Sequence, residues 1–518
     1  MRLSRIIFYP FFFLFAFSLY SQEKTPIRFA NDISASELKS HLEVLTADSL
    51  EGRETGTEGL RKASNYIINR LEKMGAKPIG NDGFFQKIDF IKQEWDTIRF
   101  RKDQNSFRHL SDYYAIPENN PNFSISADEV SFGGYGIDSK EYSDYDNHNF
   151  KDKILLIFAD EPRLNDSIFL FSGQNKISSF STTDAKLVAA AKHGVKALLI
   201  IDPNFMANAN ELRRTIFSNR LTLPSEEYKT TQVFPHLFLS TDATKKLIDT
   251  NIDSIILRRT DIQANRRYDD YHFPVNLLIK LFPKVTHFTS GNVVGMIEGS
   301  DKKLKSDYLV VSAHYDHLGK RGDSDIFHGA DDDGSGSVSV LEIMESFSKA
   351  KAAGDGPKRS VIGIWFCGEE KGLLGSRYYV SHPLKPLSQT IVDVNMDMVG
   401  RIDSQHISNK NYIYSIGSGK ISQELYNLNE SVNKTYSNLS LDYTYDDEKD
   451  PNRFYYRSDH YNFAEKGIPI VFFFNGVHPD YHRVTDTIDK IDFPIMEKRA
   501  RHAFYLLWEI ANQANRLK

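Results

Sequence analysis

Residues 308–317 read Tyr-Leu-Val-Val-Ser-Ala-His-Tyr-Asp-His, an apolar, β-branched run that passes directly into imidazole and carboxylate side chains. Runs of this kind fill the strands of a sheet that is covered on both faces. Three more segments repeat the pattern. Val361–Phe366 leads into Cys367-Gly-Glu-Glu-Lys, Ile391–Asn395 into Met-Asp397, and Ile468–Phe474 towards Asp480-Tyr-His482. Between the first two runs, Val338, Leu341, Met344 and Phe347 stripe a helix over Ser337–Ala350. Phe504, Leu507, Trp508 and Ala511 stripe another over Ile495–Asn515. Strands alternating with helices predict an α/β fold, a mainly parallel mixed sheet with crossover helices on both faces. Ligands of such sheets bind beyond the carboxyl ends of the strands. The acidic and imidazole residues gather there, joined by Gly329-Ala-Asp-Asp-Asp-Gly334 ahead of the first crossover helix.

Working outward, 518 residues exceed one ordinary domain of roughly 100 to 200. Leu60, Ala63, Ile67, Leu71 and Met74 predict a helix over Glu58–Met74, stopped by Gly75. From Ser126 the texture changes. Gly133, Gly134 and Gly136 precede a strand at Ile154–Phe158, a helix at Thr183–His193 and a strand at Val195–Ile201. Residues 126–261 therefore read as a small inserted β/α module for binding or covering, because their His and Asp do not cluster. This leaves 22–125 as the N-terminal part of the main domain and 262–518 as its catalytic part.

Hydrophobic residues at 40% and charged residues at 26% describe a globular chain. A net charge of −5 gives no cation excess with which to neutralise phosphates, so no nucleic-acid partner is expected. The single cysteine, Cys367, excludes an intramolecular disulfide and reads as an inert buried thiol. Arg2 and Arg5 precede an apolar run from Ile6 to Leu19, the pattern of a secretory signal over 1–21 cleaved after Ser21. That run is shorter than the ~20 residues of a spanning helix. The mature chain is thus expected to be exported, periplasmic or secreted, without stable membrane insertion.

Histidine and carboxylate donors together suit zinc better than magnesium or calcium, and a bridging carboxylate would let two ions sit side by side. In an extended segment residues two apart face one side, so the Asp316 carboxylate is expected to accept the second ring proton of His314. Neighbouring Glu369 and Glu370 diverge, which allows one to bind metal and the other to act as general base. Spacing alone does not separate Asp331, Asp332 and Asp333. Asp459-His460 before Phe463 reads equally well as lying near the site or as following a Ser458 N-cap with Asp459 in the first turn, and the two readings stay open. Gly417-Ser-Gly-Lys420 lacks the first Gly and the following Ser or Thr of a phosphate loop, and no Gly-x-Ser-x-Gly elbow occurs.

These motifs, His-Tyr-Asp-His, Gly-Ala-Asp-Asp-Asp-Gly-Ser-Gly, Gly-Glu-Glu-Lys-Gly-Leu-Leu-Gly-Ser, Asn-Met-Asp-Met-Val-Gly and Asp-Tyr-His-Arg-Val-Thr-Asp-Thr, together resemble the secreted co-catalytic di-zinc aminopeptidases of peptidase clan MH. Leu50-Glu-Gly-Arg-Glu-Thr-Gly-Thr57 is similar to that family's N-terminal region, and 126–261 resembles its inserted protease-associated (PA) domain. The resemblance implies a zinc exopeptidase fold, peptide substrates and two Zn2+ per chain. His314, Asp332 and Asp397 would hold one ion, and Asp332, Glu370 and His482 the other, with Asp332 bridging. Glu369 would be the general base, Tyr481 would stabilise the oxyanion, and Asp316 would orient His314. Rival readings are a carboxypeptidase or dipeptidase, whose substrate carboxylate would need a cation such as Arg401, Arg453 or Arg457, a glutaminyl-cyclase-like enzyme, and a non-catalytic binding protein.

Overall fold

The computed structural model describes residues 25–165, 167–217, 220–224, 233–249 and 253–517. The signal-like segment 1–21 lies outside them. The chain divides into two compact units, one formed by the residues up to Phe90 together with Phe288–Lys518, the other by Ile91–His287.

In the first unit, strands Ser360–Phe366, Tyr308–His314, Thr390–Met396 and Ile470–Phe474 lie side by side in that order, all parallel. Residues 293–297 pair antiparallel outside Ser360–Phe366. Tyr412–Ile416 pairs antiparallel with Ile470–Phe474 and parallel with Ser440–Asp442. These last two strands are absent from the sequence reading. Tyr412–Ile416 interleaves Tyr and Ser with Ile, and Ser440–Asp442 spans only three residues, so neither gives a continuous apolar run. The four parallel strands are buried, bar an intermediate Tyr308 at one start, because alternate residues serve opposite faces. Ile362, Ile364 and Phe366 pack with Tyr379, Val380 and Phe463 on one side. On the other, Trp365 donates its indole N–H to Ser337 O at 2.9 Å, within the helix Gly336–Ala352. Helix Phe493–Asn512 packs on that helix through Phe504 and Trp508 against Phe347. Among the described residues no helix is long and apolar enough to cross a membrane.

In the second unit the strands Phe123–Phe132, Ile154–Phe158, Ala197–Ile201 and His236–Leu239 lie side by side in that order, all parallel. This unit is wider at both ends than the 126–261 expected from sequence. Its limits fall inside two long strands, Phe85–Lys102 and His272–Ile297, whose patterning continues across them without a turn signal.

Candidate metal centre

Ser312 lies opposite Asn395 in parallel register, so His314 and Asp397 emerge side by side at the carboxyl edge of the sheet. Between them comes the Asp331–Asp333 loop, and here the three consecutive aspartates separate by function. Asp331 turns inward, accepting from Gly400 N at 2.7 Å and Ser335 Oγ at 3.0 Å and meeting His478 Nε2 at 3.1 Å. Asp333 also turns inward, accepting from Gly336 N at 2.9 Å, Met398 N at 3.1 Å and His314 N at 3.2 Å. Gly336 is required there, because a Cβ would lie 2.0 Å from Met396 O. Of the three, Asp332 faces His314, His317 and His482. Asp486 fixes its loop by accepting the amides of Asp331 and Asp332 at 3.0 and 3.1 Å.

The two oxygens of Asp332 point to different histidines, Oδ1 lying 3.3 Å from His314 Nε2 and Oδ2 3.1 Å from His482 Nε2. His314 Nε2 is also 3.7 Å from Asp397 Oδ1 and 3.8 Å from Glu369 Oε2. His482 Nε2 is 3.2 Å from Glu370 Oε2. Donors about 2 Å from one zinc sit roughly 3.3 Å apart at the corners of a tetrahedron, so these separations fit two metal positions that share Asp332. Asp332 Oδ2 and Glu370 Oε1 are buried and make no well-aligned hydrogen bond among the described residues, although His482 Nε2 and His317 Nδ1 stand 3.1 and 2.7 Å from them, a crowding of donor atoms that suits a shared cation. Charge points the same way. Burial disfavours charge on His314, yet Glu369 and Asp397 outweigh it and hold the imidazole well above its ordinary value. Desolvation likewise disfavours charge on His482, and Glu370 and Asp332 overcome it, raising the imidazole to about 11. Burial, reinforced by Glu370 and Asp397, pushes the Glu369 carboxyl well above the usual range. Such a nest of carboxylates demands positive charge, and the ring protons supply it.

Beside the residues expected from sequence stands His317. It is fully buried, with Nδ1 2.7 Å from Glu370 Oε1 and 3.9 Å from Asp332 Oδ2. Its place after His-Tyr-Asp was visible, but strand parity beyond the sheet edge gave it no direction.

Two expectations are corrected. His314 Nδ1 donates to the backbone carbonyl of Asp316 at 3.0 Å, while the Asp316 carboxylate lies 3.7 Å away. That carboxylate instead accepts from Thr55 Oγ1 at 2.9 Å and from Glu369 N at 3.2 Å. Period-two spacing brought residue 316 to the correct side, where its carbonyl was nearer than its side chain. Ser458 is not an N-cap, since Asp459 occupies that position without a side-chain cap bond. Ser458 Oγ donates to Asp397 Oδ2 at 2.6 Å and accepts from Asn395 Nδ2 at 2.9 Å, which fixes the orientation of Asp397.

Distant residues complete the frame. Arg53, fully buried, donates to Tyr315 O, Leu45 O, His328 O and Gly329 O at 2.5 to 3.0 Å. It thereby ties the segment after the first strand to the loop before Asp331. Thr55 Oγ1 also accepts from Gly368 N at 2.9 Å, which anchors the turn ahead of Glu369. Gly52 sits at φ +71°, where a Cβ would lie 2.3 Å from Gly319 O. Cys367 is buried, and burial with Asp316 and Asp459 nearby keeps its thiol protonated.

The centre opens into a cleft whose polar lining includes Asp332, Glu369, Asp397, Tyr481 and Arg457, against an apolar wall that includes Phe454, Phe472 and Phe474. The Tyr481 ring stacks on His482 at 3.9 Å, and its hydroxyl accepts from Arg457 Nη2 at 3.2 Å.

Residues 292–507 match Peptidase family M28. A probable leucine aminopeptidase of Arthroderma otae is 28% identical over 235 residues, 44% of this chain and 60% of the relative. A vacuolar membrane protease of Vanderwaltozyma polyspora is 32% identical over 143 residues, 25% of this chain and 14% of the relative. The chain thus spans less than two thirds of the length of these curated relatives. The solved structure of an aminopeptidase from Aneurinibacillus sp. strain AM-1 superposes with a TM-score of 0.56 at 18% identity, covering 95% of this chain and 97% of that one, which makes the fold a shared one.

Proposed function

We propose that the M28 peptidase domain of this chain works as a zinc-dependent exopeptidase that removes residues from the free N-termini of peptides. The observation that carries this reading is Asp332, whose two oxygens address His314 and His482 separately, as a carboxylate shared by two ions must. His314, Asp332 and Asp397 would hold one zinc, and Asp332, Glu370 and His482 the other, with His317 beside the second. Bound there, zinc supplies Lewis acidity, making a water ionisable near neutral pH and polarising the scissile carbonyl.

The rest is the work of side chains. Glu369 shares the cleft with Asp332 and Asp397, and takes the proton of the attacking water before passing it to the leaving amine. Tyr481 accepts from Arg457 through a lone pair, so its own O–H is free to donate to the carbonyl oxygen as charge develops there. Ser458 and the Asp316 carbonyl keep Asp397 and His314 in position. The carboxylates of the cleft favour a substrate ammonium beside the metals, which supports action at the amino end. The signal-like pattern of residues 1–21 supports work outside the cytoplasm.

The test uses zinc-loaded protein on matched peptides with free and acetylated N-termini, read by mass spectrometry with and without a chelator. Chelator-sensitive loss of single residues from free N-termini alone is expected. Release from the carboxyl end, indifferent to acetylation, would overturn the reading.

A further inference from the structure

The three arginines that could meet a substrate carboxylate are distinguished by their surroundings. Arg401 pairs with Asp480 at 3.0 Å. Arg453 lies over the Tyr456 ring at 4.7 Å, and is not among the residues lining the cleft. Arg457 does line the cleft, together with Glu369, Asp397 and Tyr481. Its guanidinium carbon is 5.0 Å from the centroid of the Phe454 ring, and one Nη donates to the Tyr481 hydroxyl. Among the described residues it has no carboxylate partner, although Asp332, Glu369 and Asp397 share the same cleft. A cation held by an aromatic face and a neutral hydroxyl keeps most of its five N–H donors unspent, in a fork that matches a carboxylate.

We infer that Arg457 is the carboxylate receptor of the cleft, binding an acidic group of the substrate at the hydroxyl end of Tyr481. The inference rests on the peptidase reading above and adds to it a substrate class. The carboxylate has two possible sources, the side chain of an N-terminal Glu or Asp, or the C-terminal carboxylate of a dipeptide whose amine lies by the metals. Either would place the ammonium against the anionic end of the cleft and the carboxylate against its one unpaired cation. The apolar wall of Phe454, Phe472 and Phe474 would hold the carbon chain between them.

The experiment measures kcat/KM for two matched pairs, Glu-Ala-Ala against Gln-Ala-Ala, and Leu-Ala against Leu-Ala-amide, with wild type, Arg457→Met and Arg457→Lys. A hydrogen bond between charged groups predicts that wild type prefers the acid member of one pair by about tenfold or more. The first pair reports a side-chain carboxylate, the second a terminal one. Arg457→Met should bring that ratio to near parity, whatever loss both members share through the missing bond to Tyr481, and Arg457→Lys should keep part of the preference. Parity in both pairs for wild type overturns the inference, with the exopeptidase reading intact. So does a uniform loss across all four substrates in Arg457→Met, which would make Arg457 a support for the Tyr481 hydroxyl. If wild type cleaves no peptide, the underlying reading falls and this inference with it.

Discussion

Thr55→Val tests whether the N-terminal segment stabilises the centre from a distance. Valine keeps the shape of threonine, so no cavity forms, and the only change is a methyl group in place of a hydroxyl that makes two buried hydrogen bonds. One is donated to Asp316 Oδ2 and the other is accepted from Gly368 N, both at 2.9 Å. Losing the bond to a carboxylate costs about 1.5 to 3 kcal/mol, and leaving a buried amide unsatisfied about 1 to 3 kcal/mol. Together they predict a destabilisation of roughly 3 to 5 kcal/mol. Burial already raises the Asp316 carboxyl, with Glu370 adding to the shift, so removing a donor raises it further. Urea unfolding of the zinc-free protein, followed by tryptophan fluorescence, reads the effect, since Trp365 and Trp508 both lie in the first unit. A fall in midpoint of about 1 M or more is expected, with Thr55→Ser within about 1 kcal/mol of wild type. A valine variant that loses less than about 1 kcal/mol would refute the reasoning, because a water or a neighbour would then be satisfying both groups.

Glu369→Gln should keep its zinc, as measured by elemental analysis, and lose about 10² to 10⁴ in kcat, the contribution of a general base; near-normal turnover would remove that role. Asp332→Asn withdraws the shared carboxylate, so bound zinc should fall from about two per chain to about one or fewer, read by titration against a chelating dye. His502 is buried between Ser437 Oγ and Asn429 Oδ1, each 3.0 Å from a ring nitrogen, and burial lowers its pKa from 6.5 to about 3. Between those values the unfolded chain binds a proton that the folded chain refuses, so stability is present above about pH 6.5 and drains as pH falls, by up to about 1.4 kcal/mol per unit. His502→Gln should remove one proton's share of that slope, His460 and His109 still contributing theirs, and an unchanged slope would show that the ring accepts its proton in the folded state.

The strands and the donors at their ends were legible because burial on both faces leaves uninterrupted apolar runs, and the residue following such a run must emerge at the sheet edge. His314, Glu369, Glu370 and Asp397 follow from that logic. Asp332 could not be told from Asp331 and Asp333 by spacing, because the choice is made by Gly400 and Met398, more than 60 residues away, and by Ser335 just ahead of the next helix, which capture the outer two. Ser458 looked like a helix cap because Ser before Asp-His fits one, whereas its hydroxyl goes to Asp397. Arg401, Arg453 and Arg457 carried equal weight in the sequence, and only Asp480 on one and the cleft around another distinguish them. The limits of the second unit were hidden for a related reason. Strands that run through a boundary leave no turn residues to mark it.

The clamp made by Arg53 and Thr55 sets an order of events. These residues are synthesised long before the carbonyls of Tyr315 and Gly329 and the amide of Gly368 that they engage, with the whole of Ile91–His287 between. During synthesis they must wait for about 200 residues of unrelated chain to emerge, and Asp397 and His482 come later still. A nascent chain therefore carries no assembled centre until the last third of the protein is available, so whatever chemistry the site performs begins only on the finished fold. By the same logic, a fragment begun at residue 292 contains every residue proposed to hold zinc and still lacks the side chains that hold two of their loops in place.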